Sequence, residues 1–138
     1  NCRFGDPETQ VVLPLMESDL LTVMRACREG TLAECEVKFS KKAAACVVMA
    51  SKGYPQKYET GYEIHIAPAF SGQLFAAGAK RQGERLVTAG GRVLGVAATG
   101  DTLQQAVEEA YRQCRLVTFE NAYCRGDIGQ KALAALKQ

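Results

Sequence analysis

Glycine returns at positions 72, 78, 83, 90, 91, 95 and 100, and the segments between these glycines are short. This rhythm limits the middle of the chain to strands of a few residues joined by tight turns, and it predicts antiparallel pairing. The expected strands cover 62–66, 74–78, 85–88 and 92–98. Ahead of them, 43–50 is an unbroken run of small apolar residues, read as a buried strand. It ends at Ser51-Lys52-Gly53-Tyr54-Pro55, which reads as a loop presenting Tyr54 and Tyr58.

Helical periodicity lies on either side of this block. Leu103, Ala106, Val107, Ala110, Tyr111 and Cys114 make one apolar face of a helix that Asp101 is expected to cap. A strand at 116–119 follows. Asp127 is expected to cap a last helix with Ile128, Ala132, Leu133 and Leu136 turned inward. Near the start, Pro14 interrupts an apolar stretch and keeps the first helix short or bent. Ser18 is expected to cap a second helix that buries Leu20, Leu21, Val23, Met24 and Cys27, with Gly30 as its stop. Residues 31–42 read as a polar connection. Helices at both ends of a run of strands give an α+β fold.

The chain has 138 residues, enough for a single core, and its 47% hydrophobic and 23% charged content is that of a globular protein. A net charge of +2 with scattered basic residues gives no basic surface for nucleic acid. No apolar run approaches the ~20 residues of a membrane span, and no signal-peptide pattern opens the chain, so a cytoplasmic protein is expected. The six cysteines include no C-x-x-C pair, and with His65 the single histidine a zinc site is not indicated. Reduced, mostly buried thiols are expected. His65 lies between Ile64 and Ile66, and alternation turns it to solvent.

The densest chemistry lies in Asn1-Cys2-Arg3-Phe4-Gly5-Asp6-Pro7-Glu8-Thr9-Gln10. An amide oxygen, a guanidinium and two carboxylates fall within eight positions. Asp6-Pro7-Glu8 reads as a helix start, with Asp as cap and Pro at the first helical position. An extended segment entering a helix N-terminus suits an anion or a metal–phosphate complex, although a capped, solvated helix start explains the same residues. The absence of an initiator Met ahead of so dense a stretch leads us to expect a fragment of a longer protein, with part of any active site upstream.

These ten residues resemble the signature of the phosphoribosylamine–glycine ligase family, the glycinamide ribonucleotide synthetases, within the ATP-grasp ligases. Three further tracts match in the same order: Val47-Val48-Met49-Ala50-Ser51-Lys52-Gly53-Tyr54-Pro55, Thr88-Ala89-Gly90-Gly91-Arg92-Val93-Leu94-Gly95-Val96, and Arg125-Gly126-Asp127-Ile128-Gly129. The resemblance implies the end of an ATP-grasp core over 1–50, followed by a C-terminal antiparallel β-rich domain with packed helices over 51–138. It also implies ATP, glycine and 5-phosphoribosylamine as substrates, magnesium or manganese as metal, and the N-terminal remainder of the parent chain as partner. In such a ligase the glycine carboxylate takes the γ-phosphoryl group, and the amine then displaces phosphate.

Carried over residue by residue, Asn1 matches the Asn of a Glu-x-Asn metal pattern and Arg3 an arginine that stabilises charge on the acyl phosphate. Asp6 and Glu8 fit either of two tasks, holding the glycine ammonium or orienting Arg3. Arg92, beside Gly90-Gly91, and Arg125, before a helix start, fit contacts to the ribose 5-phosphate; pairing with acids at an interface fits them too. The sequence departs from the family at Ala89, where Asn is usual, and at Ala76-Ala77-Gly78-Ala79, where His-Ala-Gly-Thr is usual. Two other readings are a neighbouring ATP-grasp ligase or carboxylase, against which Phe4-Gly5-Asp6-Pro7-Glu8 argues, and a non-catalytic substrate-binding or interdomain module. The fragment by itself is expected to be inactive.

Overall fold

A computed structural model describes residues 3–136. Two long strands, β1 (Ala43–Ser51) and β6 (Arg92–Gly100), pair antiparallel and form the spine of the domain. Both read as nearly continuous apolar runs because the sheet is covered on both faces. Two more strands complete this four-stranded sheet in the order β3-β6-β1-β8, where β3 is Gln73–Ala76 and β8 is Ala122–Tyr123. Two small ribbons stand beside it: β2 (His65–Ile66) pairs with β7 (Val117–Thr118), and β4 (Ala79–Gln82) pairs with β5 (Arg85–Thr88). All pairing is antiparallel, as the glycine rhythm predicts. β4 and β8 fall outside the expected strands, and 62–66 contributes only its last two residues as strand.

Cross-strand register sorts the side chains of the spine. Ala45, Val47 and Met49 lie opposite Ala98, Val96 and Leu94, and this face joins Ala106, Val107 and Ala110 of α3 (Leu103–Cys114) in the core. Cys46 and Val48 lie opposite Ala97 and Gly95 on the other face. There the N-terminal segment covers the sheet through α1 (Thr9–Val12) and the 3-10 turn Leu13–Leu15. Leu94, Val47, Val93 and Val96 are fully buried. Burial at ~25 cal/mol per Å² of apolar surface makes this two-strand spine the main source of stability.

α3 is capped by Thr102, not Asp101. The Thr102 hydroxyl accepts from the Gln105 amide at 3.2 Å, and the Gln105 side chain accepts from the Thr102 amide at 3.1 Å. That reciprocal box satisfies two donors a lone Asp cannot. Gln113, late in the same helix, is fully buried yet fully bonded. It accepts from the Ser71 amide (2.9 Å) and donates to Ser71 Oγ (2.9 Å) and Glu109 Oε1 (2.7 Å). Hydrogen bonds from Arg112 and then Gln113 hold the Glu109 carboxyl down to about 2.

The second helix, α2 (Leu20–Glu29), is also shifted by one residue. Asp19 caps it, accepting from the Thr22 amide at 2.7 Å, while Ser18 Oγ accepts from the Lys38 amide and donates to the Glu36 carbonyl. Gly30 ends it at φ 75°, a conformation that favours glycine. Its expected buried face is covered only in part: Leu20 and Val23 are half-buried, Leu21, Met24 and Cys27 are exposed, and Ala26 is the one fully buried residue of the helix. Residues 31–42 hold a 3-10 turn, Leu32–Glu34, and an isolated Met16–Phe39 bridge.

The last helix, α4 (Gln130–Ala135), has Gly129 rather than Asp127 at its cap position, and no side chain caps it. Ile128 packs on the core, but Ala132 and Leu136 are exposed.

Candidate functional site

The motif segment enters the fold as a loop. Asp6 does not cap a helix: the Asp6–Pro7 peptide is cis, Glu8 occupies the cap position without a side-chain bond, and α1 begins at Thr9. The Asp6 carboxylate is engaged elsewhere. Its Oδ2 accepts from Arg92 Nη2 at 2.6 Å and its Oδ1 from Gln10 Nε2 at 3.0 Å. Arg92 Nη1 also reaches the Asp6 carbonyl at 3.5 Å. Two tracts that lie 86 positions apart are thereby joined, the opening motif and Gly90-Gly91-Arg92.

The bare backbone beside Arg92 has a steric cause. A Cβ on Gly91 would lie 2.0 Å from Tyr54 Cδ2, so the ring of Tyr54 rests on this glycine, edge-on to Tyr58 at 6.0 Å. A Cβ on Gly78 would lie 2.7 Å from Gly90 Cα, where two backbones cross. Gly78 donates to the Arg92 carbonyl and accepts from the Ala89 amide, both at 2.7 Å. Ser51 fixes the same corner, its amide on the Gly91 carbonyl at 2.8 Å and its hydroxyl on the Gly90 carbonyl at 3.1 Å. The residues that the sequence reading placed in one loop and one turn thus form one wall. Tyr54 as its lid, and Gln10 as the second partner of Asp6, carry no separate signal in the sequence.

The three arginines differ in charge balance. Arg92 pairs with Asp6, and Arg125 pairs with Asp127 through two bonds, Nε–Oδ1 at 2.8 Å and Nη2–Oδ2 at 2.6 Å. That pairing holds Asp127 below the usual carboxylate range. Tyr111 locks the same turn, donating to the Arg125 carbonyl at 2.6 Å and accepting from the Ile128 amide at 3.0 Å. Arg3 is exposed, donates to the Phe4 carbonyl at 2.9 Å, and pairs with no carboxylate among the described residues. Its charge is the one left available to an incoming anion. Glu8 is exposed next to Gly5. Asn1 lies outside the described residues.

Among the described residues no group of three His, Cys, Asp or Glu side chains can hold a metal ion. The Asp6 carboxylate is bonded to Arg92 and Gln10, one bond to each oxygen. His65 is exposed on β2 as expected, with Ile64 buried before it, but Ile66 is exposed as well, so the alternation holds on one side only. The five described cysteines are unpaired thiols. Cys46 and Cys114 are buried; desolvation pushes Cys46 up to about 11, aided by the Asp6 charge, and Cys114 up to about 12. Cys27 is exposed rather than buried, and Cys35 and Cys124 are half-buried. No helix is long and apolar enough to cross a membrane among the described residues.

Comparison with known proteins gives a consistent result. Residues 44–131 match the family described as phosphoribosylglycinamide synthetase, C domain. The chain is 50% identical over 137 residues to a phosphoribosylamine–glycine ligase of Chlorobaculum tepidum, a match covering 96% of this chain and 32% of the relative. It is 46% identical over 142 residues to the trifunctional purine biosynthetic protein adenosine-3 of Bos taurus, covering all of this chain and 14% of that protein. The crystal structure of phosphoribosylamine–glycine ligase from Thermotoga maritima superposes with a TM-score of 0.73 at 34% identity, covering 91% of this chain and 31% of that one. This chain therefore spans about a third of the length of the monofunctional relatives it matches. The chain belongs to the phosphoribosylglycinamide synthetase C-domain family.

Proposed function

We propose that this chain is the C-terminal third of an ATP-dependent ligase that joins glycine to 5-phosphoribosylamine in purine biosynthesis, in the cytoplasm. Supporting it most directly is the match to ligases of that name along nearly the whole chain, at 43–50% identity in bacterial relatives. A glycine carboxylate oxygen attacks the γ-phosphorus of ATP and the bond to ADP breaks. The phosphoribosylamine nitrogen then attacks the glycyl carbonyl, the bond to phosphate breaks, and the nitrogen loses a proton. Magnesium or manganese, when bound, would neutralise charge on the phosphates, with Asn1 as this chain's ligand and the other ligands in the parent's remainder.

Arg3 is assigned the charge that develops on the acyl phosphate; its unpaired, exposed guanidinium supports that role. Glu8 is assigned to the glycine ammonium, a reading supported by its exposure and by the ion pair that already neutralises Asp6. Asp6 then belongs to the frame of the substrate site. Arg92 and Arg125 would have to leave Asp6 and Asp127 to grip the ribose 5-phosphate. For the 138 residues alone, a span of about a third of the monofunctional relatives favours a module that completes the site without turnover of its own.

The division between the ATP-grasp end and the C-terminal domain, expected after residue 50, is better drawn at the foot of β1. β1 is hydrogen-bonded along its length to β6, well inside the second part. The exposed Phe4, Leu21, Met24 and Phe39 of the first part support the reading that the remainder of the ligase covers them.

Phosphate release by the intact protein with ATP, glycine and phosphoribosylamine tests the function. Asn1→Ala or Arg3→Ala should lower the rate about 100-fold or more, the usual cost of removing one charge-stabilising group. His65→Ala should leave it near the starting rate. Equal losses from Arg3 and His65 variants, or turnover by the 138-residue chain alone, would contradict the assignment.

A further inference from the structure

Arg92 points where strand alternation does not send it. Along β6, Leu94, Val96 and Ala98 face α3, and a regular strand would put Arg92 on that same apolar face. The register slips here: Met49 opposes Leu94, but Ala50 opposes Arg92, so Val93 is an extra residue on β6. A bulge of this kind re-aims the residue beside it. Ala50 shares its side of β1 with Cys46 and Val48, so the slip transfers Arg92 to the face covered by the N-terminal segment. Asp6 waits there, its carboxylate near enough to act on the Cys46 thiol.

Arg92 supplies the one ion pair that ties this segment to the sheet among the described residues. α1 has no buried residue and a cap position without a side-chain bond. The loop ahead of it carries Arg3 and Glu8, both exposed. Arg92 and Gln10 take the two carboxylate oxygens of Asp6, and Arg92 reaches the Asp6 carbonyl as well. The backbone next to Arg92 is held in a corner that admits no side chain at Gly91, because Tyr54 lies there.

We propose that Arg92 is a positioning residue: the β6 bulge turns it to clamp Asp6, and the clamp fixes the loop that presents Arg3 and Glu8. The guanidinium then serves the reaction without touching the ribose phosphate. That the clamp serves catalysis rests on the ligase reading; the clamp itself does not.

Amide hydrogen exchange on this chain tests the clamp. Thr9, Val11 and Val12 donate to Gly5 and Glu8 carbonyls, and their amides report on the loop. Arg92→Ala should speed their exchange about fivefold, the scale of one partly exposed charged pair, and leave Val47 and Val96 unchanged. Asp6→Asn is the second way into the pair should Arg92→Ala disturb the sheet. The double variant should exchange no faster than the faster single one. Wild-type exchange in both single variants, or effects that multiply in the double variant, would overturn the clamp.

In the intact ligase Arg92→Ala should slow the glycine-dependent exchange between ATP and ADP measured without phosphoribosylamine, with KM for phosphoribosylamine unchanged. A raised KM with the partial exchange intact would make Arg92 a phosphate ligand and overturn the positioning role. An intact protein without any ligase activity would remove the function and leave the exchange result standing.

Discussion

Residues 43–124 and residues 3–42 handle their apolar side chains in opposite ways. In the later region both faces of the β1–β6 pair are covered, and Val47, Val93, Leu94 and Val96 reach complete burial. In the earlier region Ala26 is the one buried side chain among the described residues, while Phe4, Leu21, Met24 and Phe39 stand open. Helical spacing is regular in both α2 and α3. Among the described residues α3 lies on the β1–β6 sheet, whereas α2 meets mainly the short turn Leu32–Glu34. An amphipathic pattern states which face wants cover, and a second element must supply it.

The largest expected contrast is in stability. Leu94→Ala should cost about 3 kcal/mol in denaturant unfolding of this chain, the middle of the range for emptying a tight core site, whereas Leu21→Ala should cost less than about 0.5 kcal/mol. Comparable losses would erase the distinction between the regions. Gln113→Leu should cost somewhat less than the core truncation, about 2 kcal/mol. It strands the Ser71 amide and releases Glu109 from one of its partners. A neutral result would mean that the Ser71 loop is not anchored through this side chain.

The same contrast explains what was legible in the sequence. The β1 run, the antiparallel strands and the α3 face were legible because each is a local pattern whose opposing surface lies within the chain. Caps lie one residue beyond Asp101 and Ser18, since neighbouring Ser, Thr and Asp side chains compete for the same amides, and two beyond Asp127, where Gly129 holds the cap position without a side-chain bond. The inward face of α2 is only partly covered because the short turn Leu32–Glu34 is the main element packed on it among the described residues. At the site, residue types are legible, and so is an acid partner for Arg92 as one of two readings, but not which acid. Asp6 reads as a helix cap until a one-residue slip opposite Ala50 brings Arg92 to it. Alternation has no means of signalling that slip.

The exposed face of α2 carries the account that this chain is one part of a ligase whose remainder covers it. Limited trypsin cleavage at Arg25 and Arg28, compared between this chain and the intact protein, tests that most directly, because cutting inside a helix requires its local opening. We expect cleavage at both sites in the chain alone and strong protection in the intact protein. Equal cleavage rates in the two would contradict it.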